Sequence, residues 1–302
     1  MNSPSFNIAA VERDTGLSKD VLRMWERRYG FPVPNRDGNG ERSYPPEQVE
    51  RLRLIKRLMD AGHRPGKLIA TPAEELSALA PRRSAPNTVI RDAGASGELD
   101  ELLALIKQHD GSAYLQAMQQ LLARQGLQQF IQDTVAPLTR HVGEAWEAGS
   151  LEVFEEHLFT ELTKRLLRQA ISTLPGGKRK PRIVLTSVPD EPHVLGLLMA
   201  EALLALEGAE CIPLGTQMPL FEIGRAAEAH RADIVALSFS AAFPQRRIPG
   251  LLQQLSVLLP ATSELWAGGG GVTRVAKMAG VVLLPTLDDA VSAIAGWRAT
   301  HP

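Results

Sequence analysis

The spacing of apolar and polar positions divides the chain into three segments, of which the first covers residues 1–80. Helical spacing there predicts two short helices separated at Gly16-Leu17, with Ser18 as the N-cap of the second helix and Gly30 at its end. The stretch FPVPNRDGNGERSYPP then predicts a short looped hairpin, and EQVERLRLIKRLMDAG resumes helical periodicity. This order of elements is typical of a winged helix-turn-helix.

The rest of the chain changes pattern twice. Residues 81–97 are weakly patterned and predict a linker, and residues 98–177 contain four amphipathic helical stretches, which predict a four-helix bundle with a kink or a helix start at Pro137. Over residues 178–302, short apolar runs alternate with helical stretches, which predicts an α/β doubly wound parallel sheet. The chain is therefore expected to have several domains. In such sheets ligands bind at the carboxyl ends of the strands, where PDEPHVLG, SFS and GGGG fall.

Composition adds constraints on compartment and partners. The 302 residues are 44% hydrophobic and 22% charged, which suits two or three globular domains. Cys211 is the only cysteine, the N-terminus has no signal-peptide pattern, and no long uncharged apolar stretch occurs, so a cytoplasmic protein away from membranes is expected. The net charge is −1, but residues 1–70 hold 13 Lys/Arg and 9 Asp/Glu, a surplus of +4. A basic first segment fits phosphate contacts, although an ordinary solvated surface would look the same.

Arginines occupy the helix and hairpin that a winged helix-turn-helix presents to DNA. Arg23, Arg27 and Arg28 lie on the second helix, where they would supply donors to bases or phosphates, and Arg36 and Arg42 flank the hairpin loop. The alternative is a helix end whose arginines meet only solvent.

The same stretch resembles a known family of regulators. LSKDVLRMWERRYG followed by PNRDGNGERSY is similar to the N-terminal domain of MerR-family regulators, over about residues 6–70. The resemblance implies contacts to double-stranded operator DNA from Arg23, Arg27, Arg28, Arg42 and Tyr44. It places Leu22 and Trp25 in the core.

A second resemblance centres on His193. Glu191-x-His193-x-x-Gly196 is followed after 41 residues by Ser238-x-Ser240 and after 27 more by the glycine run at 268–271. This order resembles the Rossmann-like cobalamin-binding domain of base-off corrinoid proteins. It implies that His193 coordinates cobalt in place of the cofactor's own base and that Glu191 takes the other ring N–H. The small residues would line a slot for the displaced tail: Gly196, Ser238, Gly268, Gly269, Gly270 and Gly271.

Two positions depart from that pattern, since Glu191 stands where Asp is usual and Ser240 where Leu is common. Glutamate is longer by one methylene, so the loop must yield slightly to keep the imidazole held. Taken alone, a histidine before a helix is more often structural, and a glycine run can be a flexible loop.

The predicted bundle carries a third signature. Trp146, nine residues and Glu156-His157 match the W-x9-EH motif of CarH- and LitR-type regulators, which are adenosylcobalamin photoreceptors within the MerR family. The resemblance implies that these three residues hold the adenosyl face; otherwise they are a core tryptophan and a solvated turn. Those regulators have histidine after the tryptophan where this chain has Glu147, so His141 is the nearest substitute as a cobalt ligand.

Together these patterns predict a transcription regulator, which is expected to be a repressor. No enzymatic activity is expected. It would bind operator DNA as a homo-oligomer, dimer or tetramer, in the dark with adenosylcobalamin bound, and release it in light. One alternative is the same fold without cobalamin, responding to another ligand, redox state or a protein partner. The other alternative is a corrinoid methyltransferase module, but such a module has no use for a helix-turn-helix.

Overall fold

The computed structural model describes residues 6–15, 17–36, 38, 40–60, 63–72, 75–76, 93–174 and 179–301. The chain divides into two compact units, which are described separately below. The first unit comprises Met1–Arg91 with Glu144–Val153, and the second comprises Asp92–Gly143 with Phe154–Pro302. Within the described ranges, no helix is both long and apolar enough to cross a membrane.

The N-terminal elements follow the predicted order of helix, turn, helix and hairpin. Ser18 caps the second helix by accepting a hydrogen bond from the N–H of Val21, and Gly30 ends it in the left-handed conformation at φ 68°, as the sequence predicts. The elements are β1 (Phe6–Asn7), α1 (Ile8–Thr15), α2 (Lys19–Tyr29), β2 (Asn35–Arg36), β3 (Arg42–Tyr44), α3 (Pro46–Asp60) and α4 (Pro65–Ala70). The three strands form an antiparallel sheet in the order β1-β3-β2.

The helical segment has four successive helices, the third of them interrupted. The elements are α5 (Ala93–Lys107), α6 (Gly111–Gln125), α7 (Leu127–Gln129), a π-helical turn (Phe130–Val135), α8 (Ala136–Glu147) and α9 (Val153–Ser172). Pro137 lies in the first turn of α8, which agrees with its prediction as a helix start. The first helix begins five residues before the predicted start at 98, so 93–97, assigned to the linker, are helical; the other linker residues, 81–92, lie outside the described ones.

The C-terminal segment is a five-stranded parallel sheet with helices on both faces. Its strands are β4 (Arg179–Thr186), β5 (Ala209–Gly215), β6 (Ile234–Ser238), β7 (Glu264–Gly268) and β8 (Val281–Leu284). Its helices are α10 (Leu195–Leu206), α11 (Leu220–Ala229), α12 (Ile248–Leu258) and α13 (Leu287–Thr300). The strand order is β5-β4-β6-β7-β8, so the direction of the connections reverses between β4 and β6.

Alternation along β4 builds two cores, one on each side of the sheet. Val184 packs in a buried cluster that includes Ile223 of α11 and Leu252 of α12. Its neighbours Ile183 and Leu185 point to the opposite face, in a cluster that includes residues of α10 and α13. With both faces covered, the open surface for a ligand is the carboxyl edge of the strands at the reversal point.

Candidate cofactor site and nucleic-acid interface

The second helix of the N-terminal unit presents an arginine-rich surface. Arg23, Arg27 and Arg28 are exposed, while Leu22 and Trp25 on the opposite face are buried. The contacts of these exposed side chains are weak and local: Arg23 lies 3.5 Å from Asp20, and Nε of Arg27 donates to the carbonyl of Arg23 at 3.4 Å. Their guanidinium donors are therefore accessible on one helix face, the arrangement that a recognition helix needs.

The two hairpin arginines differ in their partners. Arg36 is exposed and donates to the carbonyl of Gly40 within the loop at 2.8 Å. Arg42 is half-buried, and its Nε donates to Glu26 Oε2 at 2.8 Å, which joins β3 to α2. Arg23, Arg36 and Arg42 all line one cleft beside the hairpin. Arg42 therefore holds the hairpin against the helix. Its replacement would affect DNA binding both by moving the hairpin and by removing a positive charge.

Tyr44 does not lie where the family resemblance places it. Its side chain is fully buried, with 0% exposure, in the core that contains Leu22 and Trp25. Burial is the largest cause that raises the pKa of its phenol, with the charge of Glu26 adding to it. The prediction of a DNA contact from Tyr44 is therefore wrong for this conformation: the ring supports the fold of the DNA-binding surface from beneath.

In the second unit, His193 lies in the loop between β4 and α10, at the reversal point of the sheet. Hydrogen bonds hold this loop in place: Ser187 Oγ donates to the carbonyl of Glu191 at 2.6 Å and accepts from the N–H of Gln217 at 2.9 Å. Asp190 adopts the left-handed conformation at φ 68°, which turns the chain sharply before Glu191. The loop is therefore shaped by its own residues and by the strand beside it.

Glu191 and His193 form a short contact between a buried and an exposed group. Glu191 Oε1 lies 2.6 Å from His193 Nδ1 and accepts the His193 backbone N–H at 3.1 Å. The Glu191 side chain is 1% exposed and that of His193 is 55% exposed. With the Nδ1 proton donated to the carboxylate, the imidazole presents Nε2 as its coordinating nitrogen.

The charge state of Glu191 agrees with this role. Burial alone would raise its pKa, but hydrogen bonding to His193, the positive charge of His193 when protonated, and the backbone N–H groups of Ser240 and His193 outweigh burial, so the pKa is lowered. The carboxylate is therefore ionised at neutral pH and acts as an acceptor for the ring N–H.

Ser240 follows β6 and contacts both members of the pair. Its backbone N–H donates to Glu191 Oε2 at 2.7 Å, its hydroxyl donates to the same oxygen at 2.9 Å, and its Oγ lies 3.0 Å from His193 Nδ1. The extra methylene of glutamate thus lets one carboxylate bridge the two loops. Both departures from the corrinoid pattern meet at this point.

Small residues leave room between α10 and β6. A Cβ added to Gly196 would lie 3.1 Å from Ser238 Oγ, so glycine keeps a narrow gap open beside the serine hydroxyl. The glycine run has a different cause: a Cβ at Gly269 would lie 2.4 Å from the carbonyl oxygen of Phe239, and one at Gly271 would lie 2.6 Å from that of Ser240. Gly268 and Gly270 also meet neighbouring chain atoms, so these glycines allow the β7 loop to pack against the β6 loop.

The residues of the bundle signature lie near two helix ends. Glu156 and His157 are in the first turns of α9, with His157 Nδ1 3.4 Å from Glu156 Oε2 and Glu156 Oε1 accepting from the hydroxyl of Thr160 at 2.7 Å. His157 is well exposed, with 67% of its side chain accessible. In the other unit, Trp146 is partly exposed and Glu147 is exposed at the end of α8.

His141, the proposed substitute ligand, has a partner within the bundle. Its Nε2 lies 2.9 Å from Asp100 Oδ1 of α5, although the geometry is not that of a hydrogen bond. Among the described residues, no group of three or more His, Cys, Asp or Glu side chains could hold a metal ion together. His193 would therefore act as a single protein ligand, which suits a metal whose other positions a macrocycle fills.

Sequence reasoning missed two supports of the histidine loop. Ser187 bonds to the loop from within, and Arg247 Nη2 lies 2.9 Å from Asp190 Oδ2 from the segment after β6. Asp190 is adjacent to the recognised motif, but its partner is 57 residues away, and only the fold identifies it.

Two family models match parts of the chain, and two repressors align with most of it. Residues 6–69 match the MerR HTH family regulatory protein model, and residues 98–171 match the B12 binding domain model. The chain is 32% identical over 274 residues to the HTH-type transcriptional repressor CarH of Myxococcus xanthus, an alignment that covers 89% of this chain and 90% of that protein. It is 28% identical to the repressor CarA of the same organism, over 78% of this chain and 76% of CarA.

A solved structure supports the fold alone. The Methanosarcina barkeri monomethylamine corrinoid protein superposes with a TM-score of 0.53 at 16% identity, covering 66% of this chain and 97% of that protein. The fold and the matched domains therefore define a transcription regulator with a MerR-type helix-turn-helix and a B12-binding domain. The chain belongs to the family of the transcriptional repressor CarH.

Proposed function

We propose that this protein is a repressor that senses light through adenosylcobalamin and binds operator DNA as a homo-oligomer in the dark. The observation that carries the proposal is the Glu191–His193 contact at the reversal point of the sheet, where an exposed imidazole is oriented by a buried carboxylate. We propose no enzymatic reaction: the MerR-type segment and the CarH and CarA relatives favour regulation in the cytoplasm. Residues 1–80 would form the DNA-binding domain, 81–92 the linker, 93–177 the bundle and 178–302 the cofactor domain.

On the lower side, each residue has a role that its contacts support. His193 would offer Nε2 to cobalt, and Glu191 would fix the ring by accepting the Nδ1 proton. The gap between Gly196 and Ser238 suits a thin, flat group, and the Ser238 hydroxyl beside it would bond to the cofactor tail. The chemistry of the donors therefore fits a base-off corrinoid.

On the upper side, Trp146 would pack against the adenosyl group, with Glu156 and His157 holding it, as the CarH- and LitR-type signature implies. Adenosylcobalamin, when bound, supplies a cobalt–carbon bond that visible light breaks. The chain's part is to enclose that bond and to couple its loss to assembly. Glu147 is exposed, and His141 Nε2 lies 2.9 Å from Asp100 Oδ1, so His141 would have to leave that carboxylate before it could act as the substitute ligand.

On DNA, several copies of the arginine surface would act together. Joining weak binding modules raises the overall affinity by about 10²–10⁴. A dark oligomer would therefore hold its operator firmly, and dissociation in light would release it. Arg23, Arg27, Arg28 and Arg36 would supply the accessible donors, with Arg42 bracing the hairpin.

An absorption experiment tests the proposal. The full chain is incubated in the dark with adenosylcobalamin, freed of excess cofactor by gel filtration, and its spectrum is recorded before and after illumination. We expect a bound, base-off spectrum that changes in light and is lost in His193→Ala, while His230→Ala, an exposed histidine on the same unit, binds as wild type. A colourless wild type would favour the cobalamin-independent alternative. Binding to a duplex selected from a random library should be tighter in the dark than in light.

A further inference from the structure

Ser240 is smaller and more polar than the leucine usual at this position in corrinoid proteins, and it contacts both residues of the candidate ligand pair. We propose that Ser240 is a positioning residue, which holds the Glu191 carboxylate so that Glu191 in turn fixes the His193 ring with Nε2 outward. This inference rests on the proposed cobalamin function. It makes Ser240 part of the ligand's support and not a contact of the cofactor tail.

The two oxygens of the Glu191 carboxylate accept hydrogen bonds from two different loops. Oε2 of Glu191 accepts both the backbone N–H and the hydroxyl of Ser240, at 2.7 and 2.9 Å. Oε1 is thereby turned toward His193, where it meets the backbone N–H at 3.1 Å and Nδ1 at 2.6 Å. Each oxygen has two donors, so the carboxylate plane has little freedom to rotate.

Burial makes these donors necessary. Glu191 is 1% exposed, and a buried carboxylate without sufficient donors carries a large desolvation penalty. The Ser240 hydroxyl supplies one of the four donors, and it is the only one of the four that a leucine at position 240 would remove while keeping the backbone. The hydroxyl of Ser240 therefore stabilises a buried carboxylate that is long enough to reach it.

The length of glutamate explains why the two departures occur together. Ser240 lies in the loop after β6 and Glu191 in the loop after β4, which are neighbouring strands. Aspartate, shorter by one methylene, would hold His193 or reach Ser240 less well, and leucine would leave Glu191 Oε2 only the backbone N–H of residue 240. Glu191 and Ser240 therefore form a matched pair that replaces the usual Asp and Leu.

Another contact between the same loops provides a control. Arg247 Nη2 lies 2.9 Å from Asp190 Oδ2, and the two side chains are 46% and 68% exposed. Exposed ion pairs contribute little to stability. If loop anchoring alone mattered, Arg247→Met would change the His193 tautomer and cobalamin affinity as Ser240→Ala does. If Ser240 positions the carboxylate, only Ser240→Ala will change them.

The test uses the full chain with and without cobalamin. In the cofactor-free protein, ¹⁵N NMR of the neutral His193 ring should show the proton on Nδ1 in wild type, in Ser240→Thr and in Arg247→Met, and a mixture of tautomers in Ser240→Ala. Adenosylcobalamin should bind Ser240→Ala about 3–10-fold more weakly than wild type, as for the net loss of one ordinary hydrogen bond. Ser240→Thr, which keeps the hydroxyl, should recover most of that loss.

A second background separates positioning from general damage. In Glu191→Gln, adding Ser240→Ala should cost less than about twofold, because the hydroxyl would no longer act through a carboxylate. Equal losses in both backgrounds, or an unchanged ring tautomer and affinity in Ser240→Ala, would overturn the inference. Failure of wild type to bind cobalamin would overturn the proposed function instead, and the NMR comparison would still decide the role of Ser240.

Discussion

Arg168 of α9 and Glu201 of α10 form an ion pair that ties the helical bundle to the sheet domain. Arg168 Nη1 lies 3.1 Å from Glu201 Oε2 and 3.5 Å from Oε1, and the Glu201 side chain is only 5% exposed. Burial raises the pKa of Glu201, and the charge of Arg168 opposes that rise. Gln132 of the π-helical turn bonds to Asp288 of α13 as a second tie. A rearrangement that moves α9 or the π-helical turn away from the sheet domain would break these contacts.

Removing the arginine should destabilise this unit in a pH-dependent way. Because Arg168→Met leaves Glu201 buried without its cation, the pKa of Glu201 should rise further above its ordinary value of 4.5. The folded state then binds more protons than the unfolded state between the two pKa values, so stability falls as pH rises through that window. Thermal unfolding should show a larger loss at pH 8 than at pH 5. Arg165→Met, an exposed position on the same helix, should show no such pH dependence.

Mutations of Arg27 and Arg42 should distinguish a residue that contacts DNA from one that positions the hairpin. Arg27→Ala should weaken operator binding by about 1–3 kcal/mol without changing the hairpin. Arg42→Ala should weaken binding too, but it also leaves the half-buried Glu26 unpaired, so hydrogen exchange of β3 should become faster. The charge-matched control is Arg225→Ala, on the other unit. Loss of binding in the control, or none in Arg27→Ala, would contradict the assignment.

Acid stability should depend on Glu191. Its pKa is lowered in the folded protein, so its contribution to the free energy of unfolding is complete above its ordinary value of 4.5 and is lost as pH falls through the lowered pKa. Glu191→Gln does not ionise, and its unfolding free energy should change less over the acid range than that of wild type. Urea titrations of the cofactor-free protein between pH 3 and pH 7, roughly the range over which paired carboxylates titrate, measure this. Parallel curves for the two proteins would exclude the effect.

Cys211 should be chemically inert in the native protein. Burial, followed by the nearby charge of Glu201, raises the pKa of its thiol to about 12. At pH 8 the thiolate fraction is then on the order of a thousandfold below that of an ordinary exposed cysteine. Ellman's reagent should label the native chain very slowly and the urea-unfolded chain rapidly. Fast labelling of a native chain that retains its circular dichroism would show that the thiol is accessible.

Much of this protein follows from the sequence alone. Periodicity located the helices and strands because side-chain spacing of 3.6 or 2 follows directly from backbone geometry. Ser18 and Gly30 marked the ends of α2 because capping depends only on neighbouring residues. The alternation of apolar runs and helical stretches predicted that His193 follows a strand, and it lies in the loop between β4 and α10. These features are local, or they repeat a pattern fixed along the chain.

Contacts between distant residues were decided by the tertiary structure. Tyr44 was expected on the DNA surface and is buried, because the side of a short strand that faces the core depends on how α2 packs against it. The glycines at 269 and 271 serve the close approach of two loops, which no spacing rule shows. From the sequence, Ser240 was only a departure from the usual leucine. The pairing of β4 with β6 shows that it contacts Glu191. The sequence supplied a longer acid and a hydroxyl 49 positions apart, and parallel strand pairing brought them within hydrogen-bonding distance.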